Sequence, residues 1–542
     1  MATDHDRVAE QTNGATTERS TPRVLSAVAV VITLLVLSPL AWLVMRAGEM
    51  DTVRAIELLT SETTVDVTIN SVVLVGSVTV FAVLVGVPLA ILTVQTDLPF
   101  RRFWTVTAAL PLVVPSYIGA FAFVSAFGPH GHLSNLLSPL GIEQIPPIYG
   151  LPGAVLVLTL FTYPYVFLTT RAALLSFDGT IVEAARSLNH TRWQAFKRVT
   201  LPQIAPGIAA GGLLVALYTL GDFGTPSIMK YDVFTRMIYN EFGAQRIDYA
   251  AVLSWLLLAM AVAILAVESR LEAGRDGAYV SRGSRRPGEI KLGRWKLPAL
   301  AFCGGIAALG LALPIGILVH WLARGGVGYD GAGRPFELAF AWNSLSVAAA
   351  AALVSVAVAL PLAYLAARSD TRFSSLPDRL SYVGYAVPGV VLGLALVYLS
   401  LEYVPFAYNT TILLVFAYVV RFMPQAVGTT KSSLLQIDPS YVEAARSLGY
   451  PPLTAFRKVV FPLIAPGIAA GGALVFLTTM KELPATLMLQ PFGFETFVTY
   501  IWRVQESGYY GQAAIPALVL VVVSGLSMLV ILRQEGDNAT SH

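Results

Sequence analysis

Long apolar runs separated by short polar segments make up nearly the whole chain. A helix that crosses a bilayer needs about 20 mostly apolar residues. Twelve runs approach or exceed that length: 24–45, 70–94, 103–127, 151–169, 204–222 and 250–268 in the first half, then 297–320, 342–367, 379–402, 409–424, 464–482 and 512–532 in the second. Proline interrupts the fourth and tenth, at Pro164 and Pro424. The pattern predicts an all-α integral membrane protein with about twelve transmembrane helices. The first 23 residues are polar, and no cleavage site of small residues follows the first run, so that run is read as a retained span.

The polar segments carry a repeat. Val182–Ile208 reads VEAARSLNHTRWQAFKRVTLPQIAPGI, and Val442–Ile468 reads VEAARSLGYPPLTAFRKVVFPLIAPGI, at an offset of 260 with no gap. Pro115 matches Pro388 and Asn70-Ser71 matches Asn343-Ser344 at an offset of 273. The difference falls between Pro115 and Pro164, where the loop 128–150 is longer, and insertions belong in loops. Six spans per half return the chain to its starting side. The halves are therefore read as two parallel six-helix repeats about an axis along the membrane normal. The boundaries that follow are a tail at 1–23, a first domain at 24–268, a linker at 269–296, a second domain at 297–532 and a tail at 533–542.

Composition agrees. The chain is 55% hydrophobic and 13% charged, where soluble domains average about 25% charged. The net charge of +3 says little, but its placement says more. Arg101 and Arg102 follow span two, a basic cluster follows span four, and the linker 269–296 holds eight Lys/Arg against three Asp/Glu. Loops between these, such as 128–150, are poor in Lys and Arg. The basic loops face the cytoplasm by this bias, with both termini inside. One cysteine, Cys303, excludes a disulfide framework or a Cys cluster for metal.

Within the repeat, Glu183-Ala184-Ala185 and Glu443-Ala444-Ala445 are strong helix formers, with Asp178 and Thr180 placed to cap the first copy. Asn189 and Gly449 share a position, and these residue types tolerate a left-handed backbone. A helix, a break and a second helix are predicted, carrying Arg192, Trp193, Phe196 and Lys197 in one copy and Phe456 and Arg457 in the other. Duplication alone would let loops drift faster than apolar cores. Here the loop has drifted least, which points to contact with something soluble at both copies.

The two blocks resemble the EAA loop of ABC-importer permeases: Glu-Ala-Ala, three residues, Gly, then an Ile/Val-x-Leu-Pro. Here these are Glu183-Ala184-Ala185, Asn189 and Val199-Thr200-Leu201-Pro202, and Glu443-Ala444-Ala445, Gly449 and Val459-Val460-Phe461-Pro462. The resemblance implies a coupling helix seated in a separate ATP-binding subunit, with Glu183 and Glu443 at the contact and Trp193, Phe196 and Phe456 packed around it. No G-x-x-x-x-G-K-[ST] phosphate loop occurs in the chain. No cofactor is expected in this chain. ATP and Mg would belong to the partner subunit, two copies of which would fit two loops.

Charges near the membrane are functional suspects. Asp222 and Glu482 are equivalent in the repeat and close spans five and eleven, and Lys481 adjoins Glu482. Two carboxylates across a pseudo-twofold axis, with Tyr218, could meet a hard cation such as Fe(III). Alternatively they are helix-end or gate charges in outside water, with Lys481 neutralising Glu482. Met229, Met480 and Met488 are read as packing residues. Gly221-Asp222-Phe223-Gly224-Thr225 and Lys481-Glu482-Leu483-Pro484-Ala485-Thr486-Leu487 resemble the fused two-domain ferric iron permeases. That resemblance implies a solute-binding protein on the outer face, with segments 231–248 and 491–510, each bearing an Ile-aromatic pair, as gate and contact. Thiamine importers share the fused architecture. A secondary transporter is the main rival, but most spans carry no charge near their centres. Six histidines without a cluster argue against a membrane enzyme, and nothing points to nucleic acid.

Overall fold

A computed structural model describes residues 23–49, 51–127, 148–176, 180–189, 191–273, 289–323, 336–368 and 383–526. The expected tails at 1–23 (but for Arg23) and 533–542, most of the linker, most of the loop 128–150 and the capping Asp178 lie outside them. Among the described residues, all twelve apolar runs fall largely in helix. Among the described residues nine helices are long and apolar enough to span a membrane, from Leu25–Arg46 to Pro452–Met480. A tenth span is bent by 94° between Arg101–Val113 and Ser116–Phe127, and Gly389–Tyr403 and Tyr510–Leu526 are shorter apolar helices.

The bend in span three has a local cause. Proline lacks an N–H and disfavours helix in the residue before it. Val114, before Pro115, is extended at ψ 121°. The repeat places Pro388 at the equivalent position, directly before the helix Gly389–Tyr403. Spans four (Gly150–Ser176) and ten (Thr411–Leu435) keep helical geometry through their prolines and sit at the bundle centre, 67% and 61% buried over their apolar windows. Spans five and eleven lie tight against them. A side chain at Gly211 would run into Thr169 and Val166, and one at Gly471 into Thr429 and Ala426. Small residues allow this backbone approach where lipid offers no hydrophobic drive.

The halves are interlaced. One buried cluster joins spans two to five of the first half with Ala299, Cys303 and Leu318 of span seven and Ala513, Ala517 and Leu520 of span twelve. The other joins the second half's spans with Ala29, Val36, Trp42 and Leu43 of span one and Ala250, Leu253 and Leu257 of span six. Polar contacts follow the same exchange. Trp42 Nε1 donates to Glu402 Oε2 at 3.0 Å, and Trp321 Nε1 donates to Ser125 Oγ at 2.8 Å. Each half's peripheral helices thus complete the other half's core.

The repeated Asn-Ser pair does the same work twice. Asn70 Nδ2 donates to the Asp232 carbonyl at 3.1 Å and Asn343 Nδ2 to that of Glu495 at 2.9 Å. Ser71 Oγ accepts the Phe234 N–H at 3.2 Å, and Ser344 Oγ accepts that of Phe497 at 2.7 Å. These bonds pin helices Phe234–Gly243 and Phe497–Glu506 across the ends of spans two and eight.

Candidate functional site

The two repeated loops fold alike. Thr180–Ser187 and Pro439–Ser447 are helices, and Asp438 caps the second by accepting the Ser440 N–H at 2.8 Å. Each helix ends in the anticipated left-handed residue, Asn189 at φ 67° and Gly449 at φ 84°. The Asn189 and Gly449 amides donate to the carbonyls of Arg186 and Arg446 at 3.2 and 2.9 Å, which closes the helix ends. A second short helix then starts by different means. Thr191 and Gln194 cap each other in the first copy, whereas Pro451 and Pro452 hold the backbone in the second. A π-helical turn, Phe196–Thr200 or Phe456–Val460, leads into the next span in both.

Exposure repeats residue by residue. Glu183 and Ala184 are exposed, as are Glu443 and Ala444, while Ala185 and Ala445 turn inward at 8% and 5% exposure. Leu188 and Leu448 stand out at 75% and 78%, and Trp193 and its counterpart Leu453 at 70% and 79%. Phe196 and Phe456 are half-buried; Phe196 stacks on Trp193 at 5.7 Å, whereas Phe456 meets Tyr364 edge-on at 5.6 Å. An apolar ridge beside a carboxylate is thus presented twice. Leu188, Leu448 and Leu453 were missed in the sequence because apolar residues were credited to the membrane. Their signal was an apolar residue at matching positions of two otherwise polar loops.

The second assembly lies where spans five and eleven end. Helix stops at Gly221 and Met480, then resumes as the short helices Gly224–Ile228 and Pro484–Leu489. The equivalent carboxylates bridge these breaks. Asp222 Oδ2 accepts the Thr225 N–H at 3.0 Å, and Glu482 Oε1 accepts the Ala485 N–H at 3.2 Å. The alternative that both face outside water is corrected for Glu482, while Asp222 is half-buried. The short helices are themselves buried, and Glu482 is 7% exposed.

A second correction concerns the counter-charge. Arg421 on span ten, not Lys481, pairs with Glu482, with Nε 3.4 Å from Oε2. The guanidinium projects from a neighbouring helix, whereas Lys481 follows the end of span eleven and its amide donates to the Thr478 carbonyl. Arg421 is a charge within an apolar span, and that was its signal. The two halves differ around it. Ser116, after Pro115, donates to Asp222 Oδ1 at 2.7 Å and accepts from Tyr218 at 3.2 Å. Its counterpart is Gly389, where any Cβ would collide with Arg421 and Glu482. Tyr165 lies 6.0 Å from Tyr218 by ring centroid, and their counterparts Gln425 and Thr478 are hydrogen-bonded at 3.1 Å. Oxygen donors dominate this centre. Met229, Met480 and Met488 are buried packing residues. Among the described residues no three His, Cys, Asp or Glu converge as a metal-holding group.

The centre is closed on the side away from the repeated loops. Phe223 packs on Tyr239 at 4.8 Å and on Trp502 at 5.1 Å, so the aromatic members of both Ile-aromatic pairs meet one ring. Ile238 and Ile501 are buried.

Twelve apolar helices around a buried polar centre, with duplicated polar loops at one face, define a multi-pass membrane transport component. The model of the binding-protein-dependent transport system inner membrane component family matches residues 79–270 and again 359–534, and the chain belongs to that family. It is the fused, two-domain permease subunit of an ABC importer that works with a binding protein. It is 30% identical over 519 residues to the "Fe(3+)-transport system permease protein FbpB 2" of Haemophilus influenzae, covering 95% of this chain and 99% of that one. It is 23% identical to the "Thiamine transport system permease protein ThiP" of Escherichia coli over 79% of this chain and 81% of that one. The "Molybdenum transport system permease protein ModB" of Mycobacterium bovis matches 40% of this chain at 29% identity, covering 84% of its own length.

Proposed function

We propose that this permease imports ferric iron, received from a solute-binding protein on the outer face and driven by ATP hydrolysis on a separate subunit. Residues 24–268 and 297–532 form the two domains, joined by a cytoplasmic linker, with both termini in the cytoplasm of the cell that carries it in its plasma or inner membrane. The two rocking units are the two interlaced cores, each completed by the other domain's peripheral helices. Two ATPase copies seat Thr180–Ser187 and Pro439–Ser447, and ATP and Mg stay with them. The permease itself holds no cofactor. ATP favours the closed ATPase pair, and that differential affinity supplies the drive for outward opening. Phe223, Tyr239 and Trp502 part at the outer gate. Substrate then meets Asp222, Ser116 and Tyr218 on one wall and Gln425 and Thr478 on the other. Glu482 stays with Arg421, which leaves Asp222 as the uncompensated carboxylate. Lys481 stands beside this path.

The observation that supports the reading most is the matching exposure of helices Thr180–Ser187 and Pro439–Ser447, with a left-handed residue at the same position after each. The oxygen-rich centre suits a hard cation, and the names of the relatives favour iron over thiamine and molybdate. The test is uptake by vesicles holding the permease with its ATPase and binding protein, with labelled ferric iron, thiamine and molybdate compared. ATP-dependent accumulation of iron alone is expected. Accumulation of thiamine or molybdate in its place would overturn the substrate, and accumulation without ATP would overturn the drive.

A further inference from the structure

Two segments far apart in sequence lock together where span two ends and span seven begins. Ile290 donates its N–H to the Gln95 carbonyl at 2.8 Å, and Asp97 donates to the Ile290 carbonyl at 3.2 Å, forming a short parallel bridge between Thr96 and Ile290. Asp97 Oδ1 accepts the Leu292 N–H at 2.8 Å. Lys296 Nζ lies 2.9 Å from Asp97 Oδ2, and Arg101 Nη2 lies 2.6 Å from Glu289 Oε1. Left-handed turns at Phe100 (φ 59°) and Gly293 (φ 53°) shape the two sides of the seam.

The charge balance at the seam is one-sided. Asp97 and Glu289 are the only acids in 95–103 and 289–297, and Lys296 and Arg101 neutralise them. Arg102, Lys291 and Arg294 are exposed and have no carboxylate partner among the described residues. Beside them Phe103, Trp295 and Leu297 are 59%, 62% and 76% exposed. Water solvates the three cations readily but not these apolar side chains, and a bilayer boundary satisfies both. Aromatic residues at span ends sit at headgroup depth. Basic clusters between spans attract anionic headgroups, and the arginine fork fits a phosphate.

We propose that this seam binds the phosphate of an anionic phospholipid through Arg102, Lys291 and Arg294, with Phe103, Trp295 and Leu297 against the upper acyl carbons. The lipid would bridge the two halves at the point where span seven crosses onto the first-half core. It does so whichever solute the permease carries.

The experiment counts lipids retained on the full chain by native mass spectrometry after exchange into mixed phosphatidylglycerol and phosphatidylcholine micelles. The expected result is selective retention of phosphatidylglycerol, with the preference falling about fivefold for each charge removed in R102Q, K291Q and R294Q. R102K/R294K should keep more of it than R102Q/R294Q, since the charges remain although the forks are lost. Equal retention of both lipids, or an unchanged preference in the triple glutamine variant, would overturn the proposal. So would displacement of phosphatidylglycerol by millimolar inorganic phosphate, since the site would then recognise free phosphate. An independent readout on the unaltered chain is tryptophan quenching by brominated phosphatidylglycerol against brominated phosphatidylcholine, with W295F as the reference. Stronger quenching by the anionic lipid, lost in W295F, is expected, and equal quenching overturns the proposal.

Discussion

Arg421 reaches from span ten to within 3.4 Å of Glu482, while Asp222, the repeat counterpart of Glu482, is held instead by the Ser116 hydroxyl at 2.7 Å. One duplicated carboxylate is therefore neutralised and the other is not. Both ends of the ion pair are enclosed, at 17% and 7% exposure. Removing one partner of such a pair leaves an uncompensated buried charge, at a cost of about 3 kcal/mol, whereas replacing both with apolar residues is often neutral. R421L is expected to lower the thermal midpoint clearly, and R421L/E482L to recover most of the loss. Equal midpoints for R421L and the unaltered protein would show that the pair carries no such load.

Gly389 permits this pair. A Cβ there would occupy space held by Arg421 and Glu482, so G389A is expected to displace the guanidinium and impair transport. In the other half, S116A removes one hydrogen bond to the Asp222 carboxylate and leaves the Thr225 amide in place, at about 2 kcal/mol. Unfolding midpoints and uptake rates of the two variants check the contrast. An S116A defect as large as that of G389A contradicts it.

Much of this was legible beforehand, and the reasons are physical. Apolar run length marked all twelve helices because bilayer thickness sets a length scale. Asn189 and Gly449 marked the loop breaks because few residues accept positive φ. The Arg421–Glu482 pair was not legible, since it depends on which face of span ten meets the end of span eleven. The interlacing of span one with the second half and span seven with the first was hidden for the same reason: hydropathy reports burial or lipid, not partner. The inward turn of Ala185 and Ala445 emerged only with the loop's orientation on the bundle.

At the loop breaks, substitution should follow backbone geometry. Asn189→Gly is expected to be nearly neutral. Asn189→Val places a β-branched residue at φ 67° and is expected to cost about 1–2 kcal/mol locally, with weaker retention of the ATPase on purification. Gly449→Ala should act in the same direction. Unaltered ATPase retention in N189V/G449A would show that the break is unimportant to the contact.

The seam between the halves carries a pH dependence. The Leu292 amide and then Lys296 hold the Asp97 carboxyl below its ordinary 3.8. A carboxyl lowered in the folded state stabilises above its unfolded pKa, and that contribution is lost as pH falls through the folded value. Hydrogen exchange at the Ile290 and Leu292 amides, corrected for intrinsic rates, should therefore be steady from neutral pH down to about 4 and rise below it. In D97N the amides should exchange faster at neutral pH and show no such step. A step near pH 6 would assign the change to another group.

The central claim is that two matching loops transmit the work of a separate ATPase, and charge reversal at both Glu183 and Glu443 addresses it most directly. In vesicles with the ATPase and binding protein supplied, E183K/E443K is expected to insert normally, lose ATPase on purification and fall to background ATP-driven uptake. Undiminished ATP-driven uptake by the doubly reversed protein would contradict the account.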